Sequence, residues 1–198
     1  MVTNKILKLE KSSQLVSLTK QIKAMLSLKR WQHSLNTARL AFRLADRSPL
    51  KYRAYLAGIL HDCGRELSDK QVKTIFKKYN SRYLDSNILE IKELWHNITS
   101  SYLARYKFGI KDTGILRAIA RHSVGGTGML RLDKIIYVAD FCEPGRKHLL
   151  AREVRKLAIK DIEQAVDKVS QAKIIYLKKK RVKIHPQALA LARIYKQK

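Results

Sequence analysis

Apolar residues recur every three or four positions along most of this chain, the spacing that gathers them on one face of an α-helix. Leu15, Leu18, Ile22 and Leu26 predict a helix from Leu15 to Leu28, preceded by residues 1–13, a loose basic arm in which Lys5, Lys8 and Lys11 face a single acid, Glu10. Arg30 to Asp46 is a second helical stretch, rich in alanine and leucine. Within it His33 lines up with Thr37, Leu40 or Ala41, and Leu44, so it faces inward near the helix start. Ser48-Pro49 interrupts the pattern, because proline disfavours helical geometry in the residue before it and fits the first turn of the next helix. Leu50 to Leu60 is that next helix. It delivers His61 and Asp62, and Gly64 reads as its left-handed stop.

Further on, Ser68 with Gln71 three residues later predicts a capped helix through Val72, Ile75 and Phe76 that ends near Asn80. A polar link from Ser81 to Asn87 leads into one long helical pattern from Ile88 to about Tyr106, carrying His96 and ended by Phe108-Gly109-Ile110. Asp112 caps a short helix whose Ile115, Ala118 and Ile119 share a face with His122. Leu132 to Phe141 is compact and apolar, with Asp133 and Asp140 seven positions apart and therefore on one side. Glu143-Pro144-Gly145-Arg146 is a turn. The rest, to Tyr195, reads as two or three amphipathic helices broken at His185-Pro186.

Composition narrows this to an all-α fold. Three prolines and eight glycines in 198 residues leave too few turns for a sheet of short strands, and the length suits one domain with a proper core. No apolar run approaches a membrane span. Two cysteines make no disulfide framework and no cleavable leader opens the chain, so the expected setting is the reducing cytoplasm. The net charge of +26 would draw in polyanions, from phosphorylated small molecules to nucleic acid, but it is spread over nearly every segment and selects no partner by itself.

The candidate chemistry starts at Ala57-Gly58-Ile59-Leu60-His61-Asp62-Cys63-Gly64-Arg65. A carboxylate placed at the end of an apolar run needs a cation or a donor set, since burying it alone is costly. Ala54, Ala57 and Gly58, small and at helical spacing, would let another helix approach and share a ligand cluster. His33, His61, Asp62, His96, His122 and Asp140 are the inward-facing candidates on successive helices. Imidazoles with balancing carboxylates suit a borderline ion such as iron, zinc or manganese. The expected arrangement is a pair of divalent ions, one held by His33, His61, Asp62 and Asp140, and the second sharing Asp62 and held by His96 and His122. The glycine-rich Ser123–Met129 segment offers backbone amides to an anion.

The order His33, His61-Asp62, His96, His122, Asp140 resembles that of the HD-domain phosphohydrolases, and of their two-metal members in particular. HDCGREL, ARHSVGGTGM, LDKIIYVADFCEPGR and IHPQALALAR are similar to the YqeK-type bis(5'-nucleosyl)-tetraphosphatases, over residues from about 30 to 195. The resemblance implies an HD-domain helical bundle over residues 14–198 and symmetrical cleavage of diadenosine tetraphosphate to two ADP. Iron is the metal it implies, with manganese, cobalt or zinc as alternatives. Gly64-Arg65 stands where that family commonly has Ala-Lys, and Ser123-Val124 where Thr-Thr is frequent.

On this reading two ions lower the pKa of a shared water and neutralise phosphate charge, with Asp62 and Arg65 as catalytic residues. Ser34, Arg65, Ser123, Gly128, Asp133 and Arg146 are the substrate-binding candidates. For several of these a plainer role stays open: a helix cap for Ser34, a solvated surface for the arginines, a helix end or Lys134 as partner for Asp133 in place of a ligand histidine. Trp31 and Trp95 could stack on a base or simply pack, and Cys63 and Cys142 read as packing residues. Two rival functions remain, another HD phosphohydrolase acting on mononucleotides or cyclic nucleotides, and a basic nucleic-acid-binding protein. A homodimer is left open.

Overall fold

The structure is a computed structural model that describes residues 2–79 and 81–196. Among these residues every regular element is helical: α1 (Val2–Glu10), α2 (Ser13–Lys23), α3 (Leu28–Leu44), α4 (Ser48–Leu60), α5 (Asp69–Lys78), α6 (Ser86–Glu90), a single 3-10 turn (Lys92–Leu94), α7 (Trp95–Tyr106), α8 (Thr113–Arg121), α9 (Arg131–Cys142), α10 (Leu149–Lys160), α11 (Ile162–Lys179) and α12 (Pro186–Lys196). The all-α class read from the sequence is what is found. None of the helices is long and apolar enough to cross a membrane.

Helices α3 and α4 lie closest together, and their small residues are the reason. Ala38, Ala41, Ala54 and Ala57 are fully buried, and a Cβ on Gly58 would fall 2.6 Å from the Ala38 Cα. One apolar cluster runs from Ile6 through α3, α4, α8 and α9 to Leu191 of α12, with α9 at its centre: Ile135, Ile136, Tyr137, Val138 and Ala139 are all buried. A smaller cluster, Ile88, Ile98 and Val124 with Phe76, Tyr83 and Trp95 against it, holds α5 and α6 to α7.

Several boundaries differ from the pattern. The expected loose arm is helix α1: Ile6 is buried in the core, and Glu10 accepts from Arg39 Nε and Nη2, each at 2.9 Å, and from the Tyr55 hydroxyl at 3.0 Å. Helix α2 stops at Lys23, and the next helix already begins at Leu28. The capping box of Ser68 and Gln71 forms as expected, and the expected end near Asn80 lies outside the described residues. The single long helix from Ile88 is two helices, because Asp85 caps a short α6 and Ile91 leaves helical geometry at φ −104°, ψ 89°. The Trp95 indole N–H then donates to the Leu89 carbonyl at 3.0 Å, so His96 stands at the second position of α7 rather than in mid-helix. Gly64 is not in the left-handed region, which here holds Gly109, Gly125, Gly126, Gly128 and Arg181. Glycine is needed at 64 for close approach, since a Cβ there would sit 2.5 Å from Thr99 Oγ1 and 2.7 Å from the Ser100 amide nitrogen.

Candidate metal centre and active site

The six residues expected to converge do so, each from a helix end or a buried helix face. His61 caps the C-terminus of α4 and His122 that of α8, and both Nδ1 atoms donate to the carbonyl three residues back: Gly58 at 2.7 Å, Ile119 at 2.8 Å. Those bonds fix the tautomer and leave each Nε2 lone pair aimed at the centre. Helix α3 brings His33, α7 brings His96 and α9 brings Asp140.

Asp62 sits between two sets of donors. Its Oδ2 has Arg30 Nη1 at 3.2 Å, His61 Nε2 at 3.7 Å and His33 Nε2 at 3.9 Å. Its Oδ1 has His96 Nε2 at 3.4 Å, Arg65 Nη1 at 3.5 Å and His122 Nε2 at 3.7 Å. Each oxygen thus meets one arginine and two imidazoles. Asp140 Oδ1 closes the first set, 3.0 Å from His33 Nε2 and 3.7 Å from His61 Nε2.

This donor set fits divalent cations. The Nε2 atoms of His33 and His61 are 3.2 Å apart and those of His96 and His122 are 3.1 Å apart. Facing lone pairs at such distances repel unless a proton or a metal lies between them. Two groups satisfy the reach of a single ion, His33 with His61 and Asp62, and Asp62 with His96 and His122, all donor atoms within 4.8 Å of one another. Neutral nitrogens with carboxylates suit borderline first-row ions.

The electrostatics agree. Burial pushes His61 and, further, His96 below the usual imidazole range and His122 down to about 4, so these three are neutral, as ligands must be. For Asp62 burial acts upward, but the cationic groups that face it, Arg65 among them, outweigh it and hold the carboxyl well below its ordinary range. Asp140 behaves alike, burial opposed chiefly by its bond to His33. His33 is the exception. Burial alone would lower it, yet its bonds to Asp140 and Glu143 raise it to about 9, so in the metal-free protein it holds a proton where a metal cation would otherwise lie.

Two of these neighbours carry no signal in the sequence. Arg30, one turn before His33, is one basic residue among 42. Glu143, expected only as part of a turn, is buried, with Oε1 3.3 Å from His33 Nδ1 and a further bond from the Gly145 amide. A carboxylate behind a metal-binding histidine fixes the ring and raises its basicity.

The substrate candidates divide. Arg65 Nη1 donates to His96 Nε2 at 2.7 Å and lines a pocket of about 210 Å³ with Gly64 and Trp95. Arg146 reaches Asp140 at 3.8 Å and lines a pocket of about 400 Å³ with Arg30, His33 and Asn36. The Ser123 hydroxyl stands 3.0 Å from His122 Nε2 and 3.2 Å from His96 Nε2. Ser34 is no cap: it lies in the interior of α3, fully buried, its hydroxyl without a hydrogen-bond partner among the described residues. Asp133 orients no histidine. It accepts from Arg117 Nε at 2.9 Å and from the Leu130 amide at 2.9 Å, the helix end, while Lys134 pairs with Glu163. Gly128 belongs to a loop folded on Arg121, which donates to the carbonyls of Gly125 and Thr127; the pocket there is lined by Arg82, Tyr83, Thr127, His185 and their neighbours and by none of the six. Trp31 packs on the core and Trp95 edge-on against Phe76, while Cys63 and Cys142 are free, buried and pushed up to about 12 by burial.

Residues 30–145 match the family model of the HD domain. The chain is 34% identical to the symmetrical bis(5'-nucleosyl)-tetraphosphatase of Bacillus subtilis, over 83% of this chain and 88% of that protein. It is 31% identical to the enzyme of the same name in Halalkalibacterium halodurans, over 85% and 90%. A crystal structure from Clostridium acetobutylicum, of a predicted HD superfamily hydrolase involved in NAD metabolism, superposes with a TM-score of 0.83 at 29% identity, covering 92% of this chain and 97% of that one. The chain therefore belongs to the HD-domain family, among its symmetrical bis(5'-nucleosyl)-tetraphosphatases.

Proposed function

We propose that this protein is a metal-dependent hydrolase that cleaves diadenosine tetraphosphate, and related dinucleoside tetraphosphates, at the central phosphoanhydride to give two ADP. The observation that carries the reading is the two-sided environment of Asp62, one arginine and two imidazoles at each oxygen. It suits a pair of ions facing one polyphosphate chain, and the relatives named above bear the name of the symmetrical activity.

Two divalent ions, with iron as the working assignment, would be held by His33, His61, Asp62 and Asp140 and by Asp62, His96 and His122. When bound they would lower the pKa of the attacking water and offset phosphate charge. The residues of the chain do the rest. Arg65 and Arg146, with Arg30, bind phosphate oxygens by charge-assisted hydrogen bonds. The Asp62 carboxylate, ionised across the working range, accepts a hydrogen bond from the water and orients it. Ser123 donates its hydroxyl to the phosphate chain. Water oxygen bonds to one central phosphorus, the bridging oxygen leaves with the other ADP, and the protons pass to solvent.

We place the enzyme in the cytoplasm, whose reducing conditions suit its two free, buried cysteines. The +26 excess adds a salt-dependent attraction for polyanions, nucleic acid included. The test is product identification on metal-loaded protein. ADP alone is expected from diadenosine tetraphosphate, with activity lost on chelation and restored by iron or manganese. Formation of ATP and AMP, or full activity after metal stripping, would overturn the reading.

A further inference from the structure

Lys173 of α11 turns its ammonium inward, where a lysine at a helix surface ordinarily extends toward water. Its Nζ donates to the Ser123 carbonyl at 3.1 Å and lies 3.9 Å from the centroid of the Tyr137 ring, a cation over an aromatic face. Both contacts lead to the site. Ser123 follows His122 and carries the hydroxyl that stands 3.0 Å from His122 Nε2 and 3.2 Å from His96 Nε2. Tyr137 is buried on α9, one turn before Asp140. A single side chain thus joins the segment after His122 to the helix that supplies Asp140.

That segment needs such a tie. Gly125, Gly126 and Gly128 all have positive φ, so three positions just beyond Ser123 have the conformational freedom of glycine. On the side of the loop facing α12, Gly125 packs under Leu191 and the Tyr137 ring, where a Cβ would fall 2.7 and 3.1 Å away. Lys173 grips the other end of the segment, at its first carbonyl.

We propose that Lys173 is a positioning residue for the polyphosphate chain. By holding the Ser123 carbonyl it fixes the direction from which the Ser123 hydroxyl reaches the site. The inference rests on the hydrolase reading above.

The test uses the full-length, metal-loaded protein with four variants: Lys173→Met, Lys173→Arg, Ser123→Ala and the Lys173→Met/Ser123→Ala pair. Two quantities are read, kcat and KM for diadenosine tetraphosphate, and the affinity for ADP by calorimetry. Lys173→Met is expected to raise KM and weaken ADP each about tenfold, roughly the loss of one charge-assisted contact, with kcat within about threefold of the parent. Lys173→Arg, which keeps the cation, recovers most of this. On the Ser123→Ala background Lys173→Met adds less than about threefold, because residues that act through one another do not add. Unchanged KM and ADP affinity in Lys173→Met, or the full effect persisting without the Ser123 hydroxyl, would overturn the proposal. Should Lys173→Met not fold, Lys173→Gln is read in its place. It keeps an N–H for the Ser123 carbonyl and loses the charge, so a rise in KM of about threefold is expected and no rise would count against the proposal. A parent protein that binds ADP but leaves diadenosine tetraphosphate intact would remove the hydrolase reading while the calorimetry still decides on Lys173.

Discussion

Glu143 Oε1 lies 3.3 Å from His33 Nδ1, and the opposite nitrogen of the same ring is thereby aimed at Asp140, 3.0 Å away. The carboxylate is itself held by the Gly145 amide and is buried. Glu143→Gln keeps the shape and removes the charge. Loss of such a partner weakens metal binding about 10- to 100-fold, and a chelator competition titration of this variant is expected to show that drop, with the parent's helical content retained. An unchanged metal affinity would mean that the ring is oriented by Asp140 alone.

Among the described residues Asp62 is the carboxylate within reach of both histidine pairs. Asp62→Ala is expected to leave bound metal well below the parent on elemental analysis and to lower turnover by at least about a thousand-fold, beyond what loss of a single electrostatic contact gives. His61→Ala, which removes the fully buried imidazole on the Oδ2 side, is expected to act in the same direction.

Metal binding should release a proton. His33 is raised from 6.5 to about 9 in the metal-free protein, and a metal takes only the unprotonated ring. From pH 6.5 to 9 each unit of pH is therefore expected to strengthen binding about tenfold on this account, levelling above 9. The sign for folding is opposite. A folded pKa above the unfolded one stabilises the metal-free chain fully below about 6.5, and that contribution fades as pH rises through 9. Calorimetry in buffers of different ionisation enthalpy counts the proton; none released at pH 7.5 would contradict the protonated ring.

Gly64→Ala tests the approach of α7 to the end of α4. A Cβ there meets backbone at 2.7 Å, the amide nitrogen of Ser100 in α7, whose hydroxyl accepts from the Gly64 N–H at 2.9 Å, so relief requires α7 to move. Overpacking of this kind costs about 1–3 kcal/mol, to be read as a lower urea midpoint with an unchanged slope. Because His96 moves with α7, turnover should fall as well, which a stability effect elsewhere in the core would not produce.

Arg65→Ala and Arg30→Ala separate the two sides of Asp62. Each is expected to raise KM for the tetraphosphate by about tenfold or more, the weight of a charge-assisted contact, with a smaller change in kcat. A variant with normal KM would remove that arginine from the phosphate contacts.

Much of this was legible along the chain. The 3.6-residue period marks helices locally, so the all-helical class, the Ser68–Gln71 cap and the inward histidines at 33, 61, 96 and 122 follow from spacing and residue type. Small residues at 54, 57 and 58 announced a close helix pair without saying which helix would come. Periodicity cannot report a break that leaves the apolar pattern intact, and Ile88 to Tyr106 was such a case. The Asp85 cap and the Trp95 bond to Leu89 divide it and set His96 at a helix start. Nor does it tell a loose arm from a helix whose buried Ile6 needs a partner surface made elsewhere.

The sequence by itself determined which residue types were available and which face of which helix each would occupy, since those depend on near neighbours. The tertiary structure decided distances between residues more than 100 positions apart, such as Glu143 behind His33, and it set Arg30 and Arg65, two basic residues among 42, against Asp62. Charge at such a point depends on what surrounds a group in three dimensions, and no linear order of residues records it.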